Sequence, residues 1–204
     1  MKRWFMFGLA ATLLLAGLTG CGPAGTTLPS ATSEHAEAEL TLSSDAFGPG
    51  EAIPEKYTCH GDNVSPPLQW LGVPQETASM ALIVQDPDSS PPGFVHWVVY
   101  NILPGQGGLP EGLQPEPNLP DGTLQGKNDF ARFGSGTFPG GSAIHQVGYD
   151  GPCPPSGEHR YVFTLYALDT VLDLPAEATA PEVISAMEGR AAARAELIGV
   201  YTAP

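Results

Sequence analysis

Three apolar runs rich in β-branched and aromatic residues constrain this chain most: 79–85 (SMALIVQ), 94–103 (FVHWVVYNIL) and 160–168 (RYVFTLYAL). Their composition and length read as buried strands, and Asp86-Pro87-Asp88 stops the first one sharply. Leu40 to Ser43 alternates like a half-buried strand, and Pro66 to Trp70 enters another extended stretch. Residues 44–67 are turn-rich, and 104–158, dense in Gly and Pro, reads mostly as loop with a short strand at Gly122 to Leu124. A helical period is clear only in 182–198, where Ile184, Met187, Ala191, Ala195 and Ile198 recur at helical spacing. Pro181 suits its first turn and Gly199 its end, and Arg190 and Arg194 would share a solvated face. No internal repeat is present. The expected architecture is mainly antiparallel β with a C-terminal helix and long loops.

The first residues carry a different signal. Lys2 and Arg3 precede an uncharged apolar run from Trp4 to Leu18, then Thr19, Gly20 and Cys21. A basic start, a short apolar stretch and small residues make a signal peptide, here 1–20. Leu18-Thr19-Gly20-Cys21 resembles the bacterial lipobox, which implies acylation of Cys21 and a location in the cell envelope. The anchor would sit outside the cytoplasm, at the outer membrane and periplasm or on the outer face of the cell membrane. Residues 21–38 are small and Pro/Gly/Ser/Thr-rich, as a flexible tether is, and leave 39–204 as one domain. His35 lies in that tether and gains no role. Removing Lys2 and Arg3 leaves six cations against 22 carboxylates, a net charge of about −16. Such a chain repels the phosphates of nucleic acid, so nucleic acid is not an expected partner.

With Cys21 assigned to lipid, Cys59 and Cys153 form an even pair in an oxidising compartment. A disulfide is the first reading; two buried thiols and metal ligation are the alternatives. Asn63-Val64-Ser65 fits a glycosylation sequon, read as chance in a bacterial-type lipoprotein.

Three segments place polar residues where a strand meets a stiff loop. Asp86-Pro87-Asp88 is on its own terms a turn held by Asx hydrogen bonds. His96 sits inside an apolar strand, where a buried imidazole must satisfy both nitrogens. Gly151-Pro152-Cys153-Pro154-Pro155 delivers His159 and Tyr161 to the start of the last apolar run. Together, one carboxylate, two imidazoles and a phenol beside rigid backbone make a small pocket suited to an oxyanion.

The strings YTCHGDNVSPPLQW, DPDSSPPGFVHWVVYNI and GYDGPCPPSGEHRYVFTLYALD resemble the phosphatidylethanolamine-binding protein family, in its bacterial and archaeal Raf-kinase-inhibitor-like branch. The resemblance runs from about Leu40 to Tyr201. It implies a central antiparallel sheet packed with a smaller sheet, few peripheral helices, and a C-terminal helix near the mouth of an anion pocket. Carried over by position, the pocket comprises Asp86, His96, Gly151, Pro152, His159 and Tyr161, with Asp88 and Trp97 in support. One departure is the Gly-rich insertion 132–146, which is no phosphate-binding P-loop and leaves the role of His145 open.

The expected function is non-catalytic binding of a small phosphate-bearing or carboxylate ligand, including a phospholipid head group. No nucleophile has an adjacent base in sequence, and Asp86, His96 and His159 lack compact metal-ligand spacing, so neither metal nor cofactor is expected. The alternative is inhibition of a protein partner, a secreted protease above all, through rim loops 104–147.

Overall fold

The computed structural model describes residues 39–204; the signal peptide, Cys21 and the tether lie outside the described residues. Eight strands run in order: β1 (Thr41–Ser43), β2 (Leu68–Leu71), β3 (Ser79–Asp86), β4 (Phe94–Ile102), β5 (Gly108–Leu109), β6 (Leu124–Gln125), β7 (Glu158–Leu168) and β8 (Ala191–Thr202). Five make the central antiparallel sheet in the order β6-β4-β3-β7-β8, and β1-β2-β5 make a smaller antiparallel one.

β3 lies at the centre of the large sheet and is buried on both faces, which explains its unbroken apolar run. Successive side chains point to opposite faces. Met80, Leu82 and Val84 join Trp70 and Leu68 of the small sheet in the main core. Ala81 and Ile83 face the other way and pack with Val183 and Met187 of a single short helix. The mainly β, two-sheet expectation therefore holds, and the strands at 41–43, 68–71, 79–86, 94–102 and 158–168 fall where the apolar runs place them.

The C-terminal helix requires correction. Within 180–198 only Ala180–Met187 is helical (α1), opened by a capping box between Thr179 and Glu182 with Pro181 in the first turn. Residues 191–202 instead form β8, paired with β7 from Leu168↔Ala191 to Glu158↔Thr202. Ala191, Ala195 and Ile198 fit a helical period, yet Ala195, Leu197 and Gly199 bury alternate positions of a strand. Pairing along the whole of β7 outweighs the mild helix preference of alanine. Gly199 is no helix stop; a Cβ there would come within 2.5 Å of Ile53 Cγ1, where the 47–53 segment crosses the sheet edge. Arg190 lies in the turn before β8 and pairs with Asp169 at 3.1 Å, while Arg194 lies on β8. Nor does α1 supply the pocket mouth: it packs against the second core cluster, and β8 brings Tyr201 beside His159 instead.

Candidate functional site

The hairpin between β3 and β4 fixes the first carboxylate. Asp86 Oδ1 accepts the Asp88 backbone N–H at 2.8 Å, which is an Asx turn. Its Oδ2 accepts from His159 Nδ1 at 2.7 Å, across the β3–β7 pair. Asp86 is 4% exposed, so one carboxylate closes the turn and orients an imidazole at once. Asp88 acts one step out. It takes the Arg160 backbone N–H at 3.0 Å and both guanidinium nitrogens at 2.9 and 2.7 Å, and Arg160 holds its carboxyl well below the usual range.

His96, on β4, is 3% exposed and stands edge-to-face on Tyr161, with ring centroids 5.1 Å apart. Its Nδ1 donates to the Asp150 carbonyl at 2.7 Å. A carbonyl only accepts, so the proton sits on Nδ1, and Nε2 of the neutral ring is left as an acceptor. Burial pushes the pKa of His96 down and favours that neutral form. His159 has the same proton placement, since its Nδ1 meets a carboxylate; on protonation its Nε2 becomes a donor facing away from Asp86. Tyr161 is 1% exposed, and its hydroxyl has no hydrogen-bond partner among the described residues. The Cys153 amide lies on that oxygen's side without completing a hydrogen bond. Burial raises the phenol pKa far above neutral, so the group is a permanent O–H donor.

The back wall rests on a residue that sequence reasoning passed over. Asp150 is fully buried and accepts from Asn63 Nδ2 at 2.8 Å, Asn128 Nδ2 at 3.2 Å and the His145 N–H at 2.9 Å. His145 Nδ1 lies 3.1 Å from Oδ1 of the same carboxylate, and that contact raises the His145 pKa. The insertion therefore returns to the core and sets an imidazole against a buried negative charge. Asn63 in turn accepts the Gly151 N–H at 2.8 Å, so that amide is not available to a ligand. Gly151 serves by having no side chain: a Cβ would lie 2.1 Å from the Tyr57 carbonyl oxygen. Pro152 contributes its carbonyl, which takes the Cys59 N–H at 3.1 Å.

Cys59 and Cys153 form a disulfide that staples this wall to the 57–61 segment. Asn63 is 2% exposed, which removes it as a glycosylation acceptor. Trp97 points into the main core, donates Nε1–H to Gln125 Oε1 at 2.8 Å and packs edge-to-face on Tyr149, so it supports the site from behind. His60 and Tyr201 were also missed. Their rings lie 6.0 Å apart, and Tyr201 Oη is 3.1 Å from His60 Nδ1. The signal for Asp150 and Asn63 was their place next to Gly151 and inside the CHGDN string; for Tyr201 there was none once 182–198 read as helix.

The structure thus brings Asp86, His96, His159 and Tyr161 together, with the Gly151–Pro152 segment packed behind them. Surface clefts of about 390 and 360 Å³ lie elsewhere, along Thr41 and Arg194 and between Lys127 and Pro181.

A profile of the phosphatidylethanolamine-binding protein family matches residues 43–202. A UPF0098 protein of Methanothermobacter thermautotrophicus is 49% identical over 162 residues, covering 79% of this chain and 98% of that protein. LppC of Mycobacterium tuberculosis, named as a lipoprotein candidate, is 35% identical over 206 residues, covering 95% of this chain and 92% of its own length. The crystal structure of YbcL from Escherichia coli, described as a member of the mammalian PEBP family, superposes with a TM-score of 0.69 at 32% identity, covering 82% of this chain and all of that one. The chain belongs to the phosphatidylethanolamine-binding protein family and falls among its bacterial and archaeal members.

Proposed function

We propose that this protein binds a small oxyanion, phosphate-bearing or carboxylate, in the Asp86–His96–His159–Tyr161 recess and does not turn it over. The observation that carries the reading is the Tyr161 hydroxyl: a buried donor without a partner, beside two imidazoles whose Nδ1 atoms are already engaged. Buried polar groups are normally satisfied, so an orphan aimed among other polar groups marks a place for a ligand or water. The name of the matching family, phosphatidylethanolamine-binding protein, supports a phospholipid head group as one such ligand. Hydrolysis has little support from the nearest sulfur. Cys59 Sγ lies 3.5 Å from His60 Nδ1 but is held in the disulfide and cannot attack. The LppC relationship and the Leu18–Cys21 pattern support a lipid anchor on Cys21 and a place in the cell envelope.

Isothermal titration of the soluble domain starting at Gly22 tests the binding reading. Relatives such as the Methanothermobacter protein consist of little beyond this domain, so it stands alone. Phosphate, phosphoethanolamine and acetate are the probes, and saturable binding to at least one, lost in His159→Ala, is expected. Absence of binding to all three would refute the reading.

A further inference from the structure

Three of the five large apolar side chains that stand exposed among the described residues gather at one end of the sheets. Leu71 is 76% exposed, Leu103 52% and Val171 60%; the other two are Phe133 and Ile184. β3 begins at this end and β4 and β7 finish there, since Met80 pairs with Ile102 and Ser79 with Leu168. Asn101 ties the end of β4 to the turn that carries Val171: its side chain donates to the Leu172 carbonyl at 3.0 Å and accepts the Leu172 N–H at 2.9 Å. Leu71 comes from the smaller sheet, where the neighbouring Trp70 N–H meets the Gly107 carbonyl at 3.0 Å, just after Leu103 in the chain.

Two observations set this end apart. The segments that form it, 71–75 (LGVPQ), 101–110 (NILPGQGGLP) and 170–172 (TVL), carry no charge, although the chain as a whole has 22 Asp and Glu against 8 Lys and Arg. The charges next to them stand at the rim, on Glu76, Asp173 and the Asp169–Arg190 pair. This end is also where the chain enters the domain. Thr41 pairs with Leu71, and residues 39–42 lie along Arg194–Glu196 near the start of β8, before the chain climbs to meet Ile198 and Val200. Only residues 22–38 separate that entry from Cys21. A coil of such length spans on the order of 23 Å, which keeps an anchored domain at an effective concentration of about millimolar beside its membrane. A contact too weak to hold a free protein then orients a tethered one. Anionic head groups repel the charged faces of an acidic protein but not an uncharged aliphatic end.

We propose that this end of the domain rests on the bilayer that holds the Cys21 lipid, with Leu71, Leu103 and Val171 in the interfacial layer. This goes beyond the binding reading and rests on the lipid anchor proposed above. The strands of the central sheet then stand away from the membrane. β7 runs from Leu168 at this end to Glu158 at the other, roughly 30 Å at the rise of a strand. The Asp86–His159 group thus faces the aqueous side, and what it meets arrives from there rather than from the supporting bilayer.

The experiment uses the full lipidated chain in phosphatidylcholine vesicles, with and without bromine on the acyl chains, which quenches any tryptophan in contact with them. Trp70 and Trp97 are 2% and 0% exposed and supply the background emission. Leu103→Trp and Val171→Trp place a reporter at the proposed contact, and Ser156→Trp, exposed in the loop before β7, is the control at the far end. Brominated lipid is expected to remove most of the added emission in the first two and none in the third. Adding Leu71→Glu to Val171→Trp should abolish that loss. Thermal unfolding of each variant checks that the fold is retained. Equal quenching at both ends, none at 103 and 171, or quenching that survives Leu71→Glu overturns the docking. Flotation of the same vesicles tells this failure from that of the anchor. A chain that floats, and no longer does so as Cys21→Ser, keeps its anchor even where the docking fails. A chain that does not float has no anchor, and the docking falls with it.

Discussion

Removing one oxygen separates the cost of the site from its use. In Tyr161→Phe the ring, 1% exposed and edge-to-face with His96, stays in place, and only the partnerless hydroxyl disappears. A buried hydroxyl without a full partner costs roughly 1–3 kcal/mol, less whatever a bound water returns. The ligand-free variant should therefore be as stable as the parent or up to about 1 kcal/mol more so, a rise of at most about 4 °C in melting temperature for a domain of this size. Anion binding should move the other way. A hydrogen bond to a charged acceptor contributes about 1.5–3 kcal/mol, so the affinity for phosphate should fall roughly tenfold to a hundredfold. Urea denaturation of the free protein and calorimetric titration with phosphate read the two effects separately. A variant that loses 1 kcal/mol or more of stability would show that the hydroxyl has a structural partner, and the inference drawn from its orphan state would fail. Unchanged phosphate affinity would place the anion elsewhere.

Three further outcomes follow from the wall behind the recess. The pairing with Asp150 raises the His145 pKa above its ordinary value, so its stabilisation is full below about pH 6.5 and fades as pH rises through the folded-state pKa. His145→Gln should thus cost more stability at pH 5.5 than at pH 9; a cost that does not change with pH contradicts the ion pair. Joining residues 94 apart, the Cys59–Cys153 bond stabilises by about 4–5 kcal/mol on the chain-entropy model, and the double Cys→Ala variant should lose most of that in denaturant unfolding, whereas a loss below about 1 kcal/mol would refute it. Gly151→Ala drives a Cβ to 2.1 Å from the Tyr57 carbonyl oxygen, where neither backbone can yield, so a destabilisation of roughly 2–4 kcal/mol and weaker anion binding are expected; unaltered melting would show that the wall is looser than its contacts imply.

The strands β3 and β4 of the central sheet were legible because burial on two faces leaves a plain mark. SMALIVQ and FVHWVVYNIL carry no charge until they reach the loops, and that pattern fixes where β3 and β4 run whatever packs on them. The candidate residues Asp86, His96, His159 and Tyr161 stood out for a related reason: each lies at or near a strand end close to proline or glycine, so local chemistry points to a held polar group, and the structure brings the four near one another. The pairing of the two cysteines was one of several readings until the structure set Cys59 against Cys153.

The rest depended on contacts between distant segments. Ala191 to Thr202 has no local preference strong enough to choose between helix and strand; eleven register pairs with β7 choose strand, and with that choice Tyr201 arrives next to His159. Asp150, buried at the end of the insertion, is meaningful only once Asn63, Asn128 and His145 converge on it from three separate stretches. Gly151, carried over from the resemblance as a pocket residue, gives its N–H to Asn63 and stands where two chain segments nearly touch. The sequence by itself determined which short segments must be buried and which polar residues stand at their ends, because those properties follow from local pattern. The tertiary structure alone decided which of those polar groups are already satisfied and which, like the Tyr161 hydroxyl, have no partner among the described residues, because satisfaction depends on partners far along the chain.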